Sequence, residues 1–205
     1  MAILPIRIWG DPVLTKRAAA VSRITRAERQ LIEDLKETML AADGAGLAAP
    51  QVGVSKRIFT FRIGDEVHVL INPHITKREG EIVGVEGCLS IPGVQAEVAR
   101  AQYVVITGKD ENGKSVTYRL VDSEETGRAG TCVQHELDHL NGDLYIEKAE
   151  PDTLSWLLEY EDELGEPEIV LMETTPEEIL KAYRAKRLPP KVHISEMLRK
   201  RVERN

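Results

Sequence analysis

Five consecutive residues carry the strongest chemical pattern in the chain, His135-Glu136-Leu137-Asp138-His139. On a helix, side chains four residues apart lie on the same face, so His135 and His139 could hold one metal ion. Glu136 would stand beside a water on that metal, where a carboxylate can accept the water's proton and deliver it to a leaving nitrogen. The pattern predicts a metal-dependent hydrolase, and a solvated helix with two incidental histidines is the alternative. Asp138 faces another side of the helix, and we expect it to be solvated.

A catalytic metal usually has three protein ligands, and the two cysteines of the chain are candidates for the third. Cys132 would lie about 10 Å along the helix axis from His139, too far for the two to share one ion. Cys132 is therefore interpreted as a small buried residue behind the site that lines a pocket. Cys88, in Glu86-Gly87-Cys88-Leu89-Ser90, could complete a Cys-His-His set, and a free buried cysteine is the alternative.

Composition and charge limit the class of protein. The 205 residues are 42% hydrophobic and 30% charged, as in an ordinary globular domain. The sequence contains no apolar run long enough to cross a bilayer and no secretory signal at its N-terminus, so we expect a cytoplasmic protein without membrane association. The net charge of −7 argues against a general nucleic-acid binder, and we expect no sequence-specific binding of nucleic acid.

A first helix should begin after Thr25. Thr25 and Glu28 form a capping-box pattern, and an apolar stripe follows at helical spacing. The stripe consists of Leu31, Ile32, Leu35, Met39 and Leu40. The helix should end before Asp43-Gly44-Ala45-Gly46, because glycines break helices and allow another backbone to approach closely.

Short β-rich segments occupy the middle of the chain, and we predict strands over 57–63, 67–71, 103–108 and 115–121. Asn72-Pro73 should stop the second strand, and Asn112-Gly113 should join the last two as a hairpin. A second helix over about 125–140 carries the His-Glu pattern and is capped by Asn141-Gly142. These elements predict an α+β fold in which antiparallel strands pack around this central helix, with the first helix N-terminal to them.

The composition changes after residue 150. We predict a catalytic domain over 1–150 and a C-terminal extension over 151–205, which we expect to be helical. The extension is acidic over 159–178 and then basic over 181–204. Its cations could bind phosphate groups, or they could be solvated or pair with the acidic stretch before them.

Three segments together resemble the signature segments of the peptide deformylases. They are Gly44-Ala45-Gly46-Leu47-Ala48-Ala49-Pro50-Gln51, Glu86-Gly87-Cys88-Leu89-Ser90 and Gln134-His135-Glu136-Leu137-Asp138-His139-Leu140. Gly10-Asp11-Pro12-Val13-Leu14 also looks like the N-terminus of that family, and the likeness covers roughly residues 3–147. A match in three parts and in this order is more specific than the His-Glu pattern alone.

The resemblance implies removal of the formyl group from the N-terminal formylmethionine of nascent polypeptides, with release of formate. Cys88, His135 and His139 would be the metal ligands, and Glu136 would be the general base and acid as water attacks the formyl carbonyl. The cofactor would be one divalent metal ion, with Fe²⁺ favoured and with Zn²⁺ or Ni²⁺ able to occupy the site.

The resemblance also assigns residues to the substrate. The side-chain amide of Gln51 and the backbone N–H of Leu89 would stabilise the oxyanion, and a surface glutamine is the alternative for Gln51. The backbone of Gly44-Ala45-Gly46 and of Gly87 would pair with the peptide like a strand, since a missing Cβ lets another chain approach. Ordinary tight turns are the alternative for these glycines.

Two positions depart from the family pattern. Gln95 stands where members often carry an arginine that helps to hold the peptide beyond its first residue. Arg128 stands where an apolar residue usually helps to line the methionine pocket, and we expect Arg128 and Cys132 to be substrate-binding residues. The differences leave the metal and proton chemistry unchanged, and they bear on how strongly methionine is preferred.

In some deformylases a basic C-terminal extension attaches the enzyme to the ribosome, and the basic stretch here is similar in character, so ribosome contact is one hypothesis for it. Two other functions fit parts of the sequence. A His-Glu-x-x-His metallopeptidase would use the same metal and glutamate, but it leaves Cys88 and Gln51 unexplained. A non-catalytic, ribosome-associated binding protein would be expected to lack Glu136 or a ligand, and none is lost.

Overall fold

The described residues, 2–162, 164 and 166–204, form nine strands and four α-helices in this computed structural model. The strands are β1 Gly46–Ala48, β2 Ile58–Ile63, β3 Glu66–Glu79, β4 Ile82–Cys88, β5 Ile91–Arg100, β6 Tyr103–Lys109, β7 Ser115–Val121, β8 Ser155–Glu161 and β9 Pro167–Glu173. The helices are α1 Arg26–Ala41, α2 Ala129–Asn141, α3 Pro176–Arg184 and α4 Glu196–Arg204.

The strands pair in antiparallel fashion and form two sheets, ordered β1-β2-β3-β6-β7 and β4-β5-β8-β9. Strands β1 and β4 lie at the edges of their sheets, so each has one side without a strand partner among the described residues. Helix α2 packs against β1, β2 and β7. The predicted α+β fold, with antiparallel strands around a central helix, is confirmed.

Helix α1 begins as its sequence predicts. The Thr25 side chain accepts a hydrogen bond from the helix N-terminus, and Glu28 reaches back to the Thr25 backbone N–H at 2.9 Å, which completes the capping box. Ile32, Leu35 and Met39 are fully buried, so they form the core face of the helix. Leu40 lies one residue beyond this row and is 51% exposed, so its assignment to the apolar stripe was wrong.

Strand β3 continues past the point where Asn72-Pro73 was predicted to stop it. Asn72 adopts a left-handed backbone with φ of 52°, and its side-chain amide bonds to both the N–H and the carbonyl of Val21 at 2.8 Å. The register against β6 shifts between Ile71 and His74, which marks a bulge. A bulge accommodates a proline because the missing N–H is not needed for the ladder there, so the strand bends instead of ending.

Helix α2 begins at Ala129, later than predicted. Gly127 has a positive φ of 74°, which ends the preceding turn, and the buried carboxylate of Asp122 then accepts hydrogen bonds from the N–H groups of Gly130 and Thr131 at 2.7 and 2.6 Å. A Cβ on Gly130 would lie 2.7 Å from Asp122 Oδ1, so glycine is required by this close approach. The start of the helix therefore depends on a residue at the end of β7.

The C-terminal extension is only partly helical. The acidic stretch, which we expected to be a helix, forms most of the hairpin of β8 and β9, in which Trp156 and Leu158 are buried two residues apart on one face of β8. Helices α3 and α4 follow, and α3 begins at a Thr175–Glu178 capping box. Strand β8 joins the second sheet through the pairs Val94↔Trp156 and Gln95↔Ser155. The division of the chain into a catalytic domain over 1–150 and an extension over 151–205 stays a prediction.

One hydrophobic cluster connects the extension to the rest of the chain. It contains Ile8, Ile91, Val94 and Val98 from the first 150 residues and Trp156, Leu158, Ile179, Tyr183, Val192 and Val202 from the extension. The Tyr183 hydroxyl donates to the carbonyl of Pro92 at 2.9 Å. Each fully buried side chain of this kind contributes about 1.5–3 kcal/mol, so the extension is firmly packed against β5.

Candidate metal centre and active site

Cys88, His135 and His139 lie close together in the folded chain. Their ligand atoms are all within 4.8 Å of one another, and Sγ of Cys88 is 3.2 Å from Nε2 of His139. The two imidazole rings are 4.9 Å apart and nearly perpendicular, at 77°. Helix α2 supplies both rings from one face, as the spacing of the two histidines predicts, and the end of β4 supplies the sulfur.

A buried carboxylate orients one of these rings. Nδ1 of His135 lies 2.8 Å from Oε2 of Glu86, which leaves Nε2 as the nitrogen able to bind a metal. Arg100 donates to both oxygens of Glu86, at 2.7 and 2.9 Å. Burial raises the pKa of Glu86, but the hydrogen bonds from Arg100 and His135 outweigh it and lower that pKa to about 2. Glu86 is therefore an anion at neutral pH.

Asp138 belongs to the same network. Its carboxylate accepts from Arg100 at 2.6 Å and pairs with Lys148 at 2.5 Å, and its side chain is 13% exposed. The expectation that Asp138 is solvated was therefore wrong. The error arose because its partners come from distant parts of the chain, at the end of β5 and beyond helix α2, and leave no local signal beside the His-Glu pattern.

Glu136 projects into the site from the same helix and is buried. Burial raises its pKa to about 7, and the negative charges of Glu86 and Asp138 act in the same direction, against the opposing influence of His135. A carboxyl group with a pKa near neutrality can both accept and donate a proton at physiological pH. This arrangement suits a general base that later acts as an acid.

Gly46 makes room for Glu136. A Cβ at position 46 would lie 2.5 Å from Oε1 of Glu136 and 2.8 Å from Sγ of Cys132, closer than side-chain atoms can approach. The Cβ of Gly87, by contrast, would meet the carbonyl of Val94 at 3.5 Å, an ordinary contact. Glycine at position 46 is thus required by the close approach of the Glu136 side chain, a reason that turns and peptide approach do not include.

Gln51 is buried, so the alternative of a surface glutamine was wrong. Its Oε1 accepts the N–H of Ala48 at 2.7 Å, which fixes the direction of the amide. Nε2 therefore points to the site, 3.5 Å from Sγ of Cys88 and 3.4 Å from Oγ of Ser90. A short 3-10 turn over Ala49–Val52 holds the residue there and presents a neutral donor beside the sulfur.

A cavity of about 460 Å³ opens over these groups. The cavity is lined by the Gly44-Ala45-Gly46 segment, by Gly87 and Cys88 at the end of β4, and by Leu89 in the following turn. Arg128 and Cys132 line it as well, and their contact with substrate stays a prediction. The guanidinium of Arg128 donates to the carbonyl of Val85 on β4, so its charge is tied to the wall of the cavity.

Cys132 is a small neutral thiol that packs beside the site. Burial raises the pKa of Cys132 well above its usual value, and the charge of Glu136 adds to the effect. It packs against the cluster of Phe59, Phe61 and Val133, outside the Cys-His-His group. The interpretation of Cys132 as a residue behind the site, without a part in metal binding, agrees with this position.

The site has the chemistry of a metal centre. Four buried side-chain polar atoms in the described part of the chain lack a hydrogen-bond partner, and three of them, on Thr131, Glu136 and His139, belong to helix α2. Glu136 lines the cavity, so a group bound there could supply the hydrogen-bond partner that its buried Oε2 lacks. Burial, with His135 and Arg100, lowers the pKa of His139 well below its usual value, and the neutral imidazole is the form that binds metals.

The sequence did not reveal that Glu86 and Arg100 form a buried ion pair that supports this site. Glu86 was noted only as part of the Cys88 segment, and Arg100 was not noted at all. Arg100 sits at the end of β5 and is itself buried, and a buried arginine requires a carboxylate partner. A buried strand position occupied by a charge could have indicated such a pair, but β5 was not predicted as a strand.

A thiolate and two imidazoles beside a glutamate on a His-Glu-x-x-His helix define a metal-dependent hydrolase. The comparisons with known proteins specify the class further. A family model described as polypeptide deformylase matches residues 3–154, and the chain belongs to that family.

Relatives and solved structures agree with this family. A peptide deformylase of Agathobacter rectalis is 46% identical over 152 residues, which are 73% of this chain and 92% of the relative. One of Dehalococcoides mccartyi is 45% identical over 81% of this chain and 98% of its own length. The crystal structure of peptide deformylase from Thermotoga maritima has a TM-score of 0.69 at 39% identity and covers 74% of this chain and 100% of that one.

A structure of the Ehrlichia chaffeensis peptide deformylase in complex with actinonin has a TM-score of 0.69 at 32% identity, covering 74% of this chain and 91% of that one. None of the helices described here is long and apolar enough to span a bilayer. The family match ends at residue 154, so most of the C-terminal extension lies beyond it.

Proposed function

We propose that this chain removes the N-formyl group from formylmethionine at the N-terminus of nascent polypeptides and releases formate. The chain is a metal-dependent hydrolase of the peptide deformylase family. The observation that carries the proposal is the grouping of Cys88, His135 and His139 within 4.8 Å, next to buried Glu136. The resemblance assigns to the same four residues the roles of metal ligands and base.

The three grouped residues would hold the metal, and Glu86 would keep His135 in the correct orientation. When bound, a divalent metal supplies Lewis acidity, which acidifies water and polarises a carbonyl. We propose Fe²⁺ as the native metal, while the Cys-His-His donor set also suits Zn²⁺ or Ni²⁺. Metal analysis of protein purified without oxygen tests this choice.

The protein's own groups would move the protons. Glu136 accepts the proton of the attacking water as oxygen adds to the formyl carbon. Its pKa of about 7 lets it then donate the same proton to the departing nitrogen as the carbon–nitrogen bond breaks. The products are formate and a free N-terminal amine, so one water is consumed for each bond cleaved.

Gln51 and Leu89 would stabilise the oxyanion. The Gln51 amide is fixed by Ala48, so its Nε2 donates without reorganising during the reaction. Leu89 directly follows Cys88 and lines the same cavity. One well-placed donor of this kind lowers the activation barrier by about 3–4 kcal/mol.

The substrate backbone would lie between two exposed strand edges. Strands β1 and β4 are edge strands of different sheets, and Gly46 and Gly87 on them both line the cavity. An extended peptide can add to such edges by backbone hydrogen bonds. The side chain of the first residue would then enter the end of the cavity near Arg128 and Cys132. Because the Arg128 charge is tied to Val85, we propose that methionine is still accepted there.

Peptide assays test the proposed function. Metal-loaded protein is incubated with a formyl-Met tripeptide and with a longer unformylated peptide, and formate and new amines are measured. Formate from the first substrate alone supports deformylation, and internal cleavage of the second supports a metallopeptidase. Glu136→Gln should retain the metal but lose turnover, and full activity in that variant would contradict the role of Glu136.

We further propose a cytoplasmic location and a ribosome contact through the basic part of the extension. Arg184, Lys186 and Arg187 are exposed at the end of α3 and beyond it, which favours contact with a phosphate backbone. Co-sedimentation with ribosomes at increasing salt tests the contact. Binding that disappears in Arg184→Glu/Arg187→Glu supports it, and binding unaffected by those changes argues against it.

A further inference from the structure

The C-terminal extension lines the active-site cavity. Four of its residues face the same cavity as Cys88 and Glu136. They are Leu157 of β8, His193 and Ile194 of the segment before α4, and Leu198 of α4. All four lie beyond residue 154, where the match to the family ends. These residues therefore lie outside the part of the chain that the family model matches.

The extension lies at one particular end of that cavity. Along β4, Val85 contacts Arg128 at one end, and Cys88 lies three residues further on, which is about 10 Å in a strand. The chain then turns through Leu89 and enters β5, where Pro92 and Gly93 line the cavity beside the extension. The extension thus stands beyond Cys88, opposite the end where Arg128 lies.

Specific contacts hold this wall in place. Gly93 has a φ of 78°, and a Cβ there would lie 2.5 Å from Val192 and 2.8 Å from Ile194, so the segment packs directly on the glycine. The N–H of His193 donates to the carbonyl of Leu157 at 2.7 Å. The Arg199 guanidinium donates to the carbonyl of Val192 at 2.8 Å. The segment is therefore an ordered wall, and its cavity-facing groups are mostly aliphatic.

We infer that Leu157, Ile194 and Leu198 form an apolar subsite for the peptide residue that follows the formylated one. The inference rests on the proposed function, because it takes the first side chain to enter the Arg128 end. The backbone then continues past Gly87, which pairs with Gln95, and Gln95 pairs in turn with Ser155 of the extension. The next side chain would consequently reach the wall, which offers aliphatic contact.

The expected preference is for aliphatic over charged residues at the second position. A partly open apolar wall should favour leucine over lysine or glutamate there by about 10-fold in kcat/KM, since an apolar contact of this size discriminates by that order. We would measure formate release from formyl-Met-X-Ser peptides with X as leucine, lysine or glutamate. The metal content of each preparation is measured alongside, to compare loaded enzyme only.

Ile194→Glu is the test variant. A carboxylate on this wall should lower kcat/KM for the leucine peptide and raise it for the lysine peptide, which changes the leucine-to-lysine ratio at least 10-fold. Leu164→Glu is the matched control, because Leu164 is an aliphatic residue of the same extension, is 87% exposed and lies outside the cavity. The control should keep the wild-type ratio.

Ile194→Ser covers the case in which the charged variant does not fold, as judged by its thermal unfolding. It should reduce the leucine preference several-fold without creating one for lysine. The inference would be overturned if the wild-type enzyme showed no preference for leucine over lysine or glutamate, or if folded Ile194 variants kept the wild-type leucine-to-lysine ratio. Formate release in those same assays would still support the proposed function. Absence of formate from every peptide with fully loaded wild-type protein would instead overturn the proposed function itself.

Discussion

Replacing Glu86 by glutamine tests how the metal centre is supported. The change keeps the size of the side chain but removes its charge, and it replaces one acceptor oxygen by an NH2 group that would face the N–H donors of Arg100 or His135. Arg100 keeps one partner, Asp138 at 2.6 Å, so its charge is not left alone. We expect His135 to lose its fixed orientation while the fold survives.

The expected loss of folding stability in Glu86→Gln follows from the pKa of Glu86. Its fall from the ordinary 4.5 to about 2 corresponds to stabilisation on the order of 3 kcal/mol. Loss of one partner from a buried ion pair costs about 3–5 kcal/mol, and the remaining Asp138 contact places the effect at the lower end. Because the folded pKa is depressed, this stabilisation is complete above the ordinary pKa of 4.5 and is lost as pH falls through about 2.

Two assays measure these effects. Urea unfolding of metal-free Glu86→Gln should show a free energy of unfolding about 3 kcal/mol below wild type near neutral pH, with the gap narrowing in acid. Competition with a chelator should show metal affinity reduced about 10–100-fold. Glu79→Gln, which removes an exposed carboxylate paired with Lys77, should change stability by less than about 0.5 kcal/mol. Wild-type metal affinity in Glu86→Gln would refute the orienting role of Glu86.

Three further changes probe the parts of the site. Gly46→Ala places a Cβ 2.5 Å from Oε1 of Glu136, so kcat should fall at least about 10-fold with metal content unchanged, and wild-type kcat would show that the glutamate can move aside. Gln51→Leu removes the neutral donor 3.5 Å from Cys88 and should lower kcat by about 100–1,000-fold in steady-state assays at equal metal loading. Asp122→Ala leaves the first N–H groups of α2 without their acceptor, so calorimetry should show destabilisation of about 1–2 kcal/mol, and an unchanged unfolding temperature would contradict this capping.

Local patterns predicted the elements that carry their own signals. The Thr25–Glu28 capping box defines the start of α1, and the Asn112-Gly113 turn joins β6 and β7. The spacing of His135 and His139 placed both rings on one face of α2. In each case the residues that determine the structure are close together in the chain, so the pattern is visible without knowledge of the fold.

Elements that depend on distant partners were missed. Strands β4 and β5 were not predicted, because Gly84, Gly87 and Pro92-Gly93 interrupt their apolar patterns, and the two strands are stabilised by pairing with each other and with β8. The hairpin of β8 and β9 likewise depends on β5. The ion pairs of Glu86 and Asp138 with Arg100 were missed for the same reason, because these residues are far apart in the sequence and meet only in the folded protein.

The placement of the C-terminal extension could not be predicted either. Its charges dominated the sequence pattern and favoured a solvated or ribosome-binding tail. The residues that decide its position are the sparse apolar ones, among them Trp156, Tyr183 and Val192, which join the cluster on β5. A few buried side chains outweighed many charged ones, because exposed charges contribute little to stability.

X-ray absorption spectroscopy of zinc-loaded protein tests whether Cys88, His135 and His139 bind one metal ion together. We expect one sulfur ligand at about 2.3 Å and two imidazole nitrogens at about 2.0–2.1 Å. The sulfur signal should disappear in Cys88→Ser and persist in Cys132→Ser. A spectrum without sulfur, or one in which the sulfur persists when Cys88 is replaced, would contradict the proposed site.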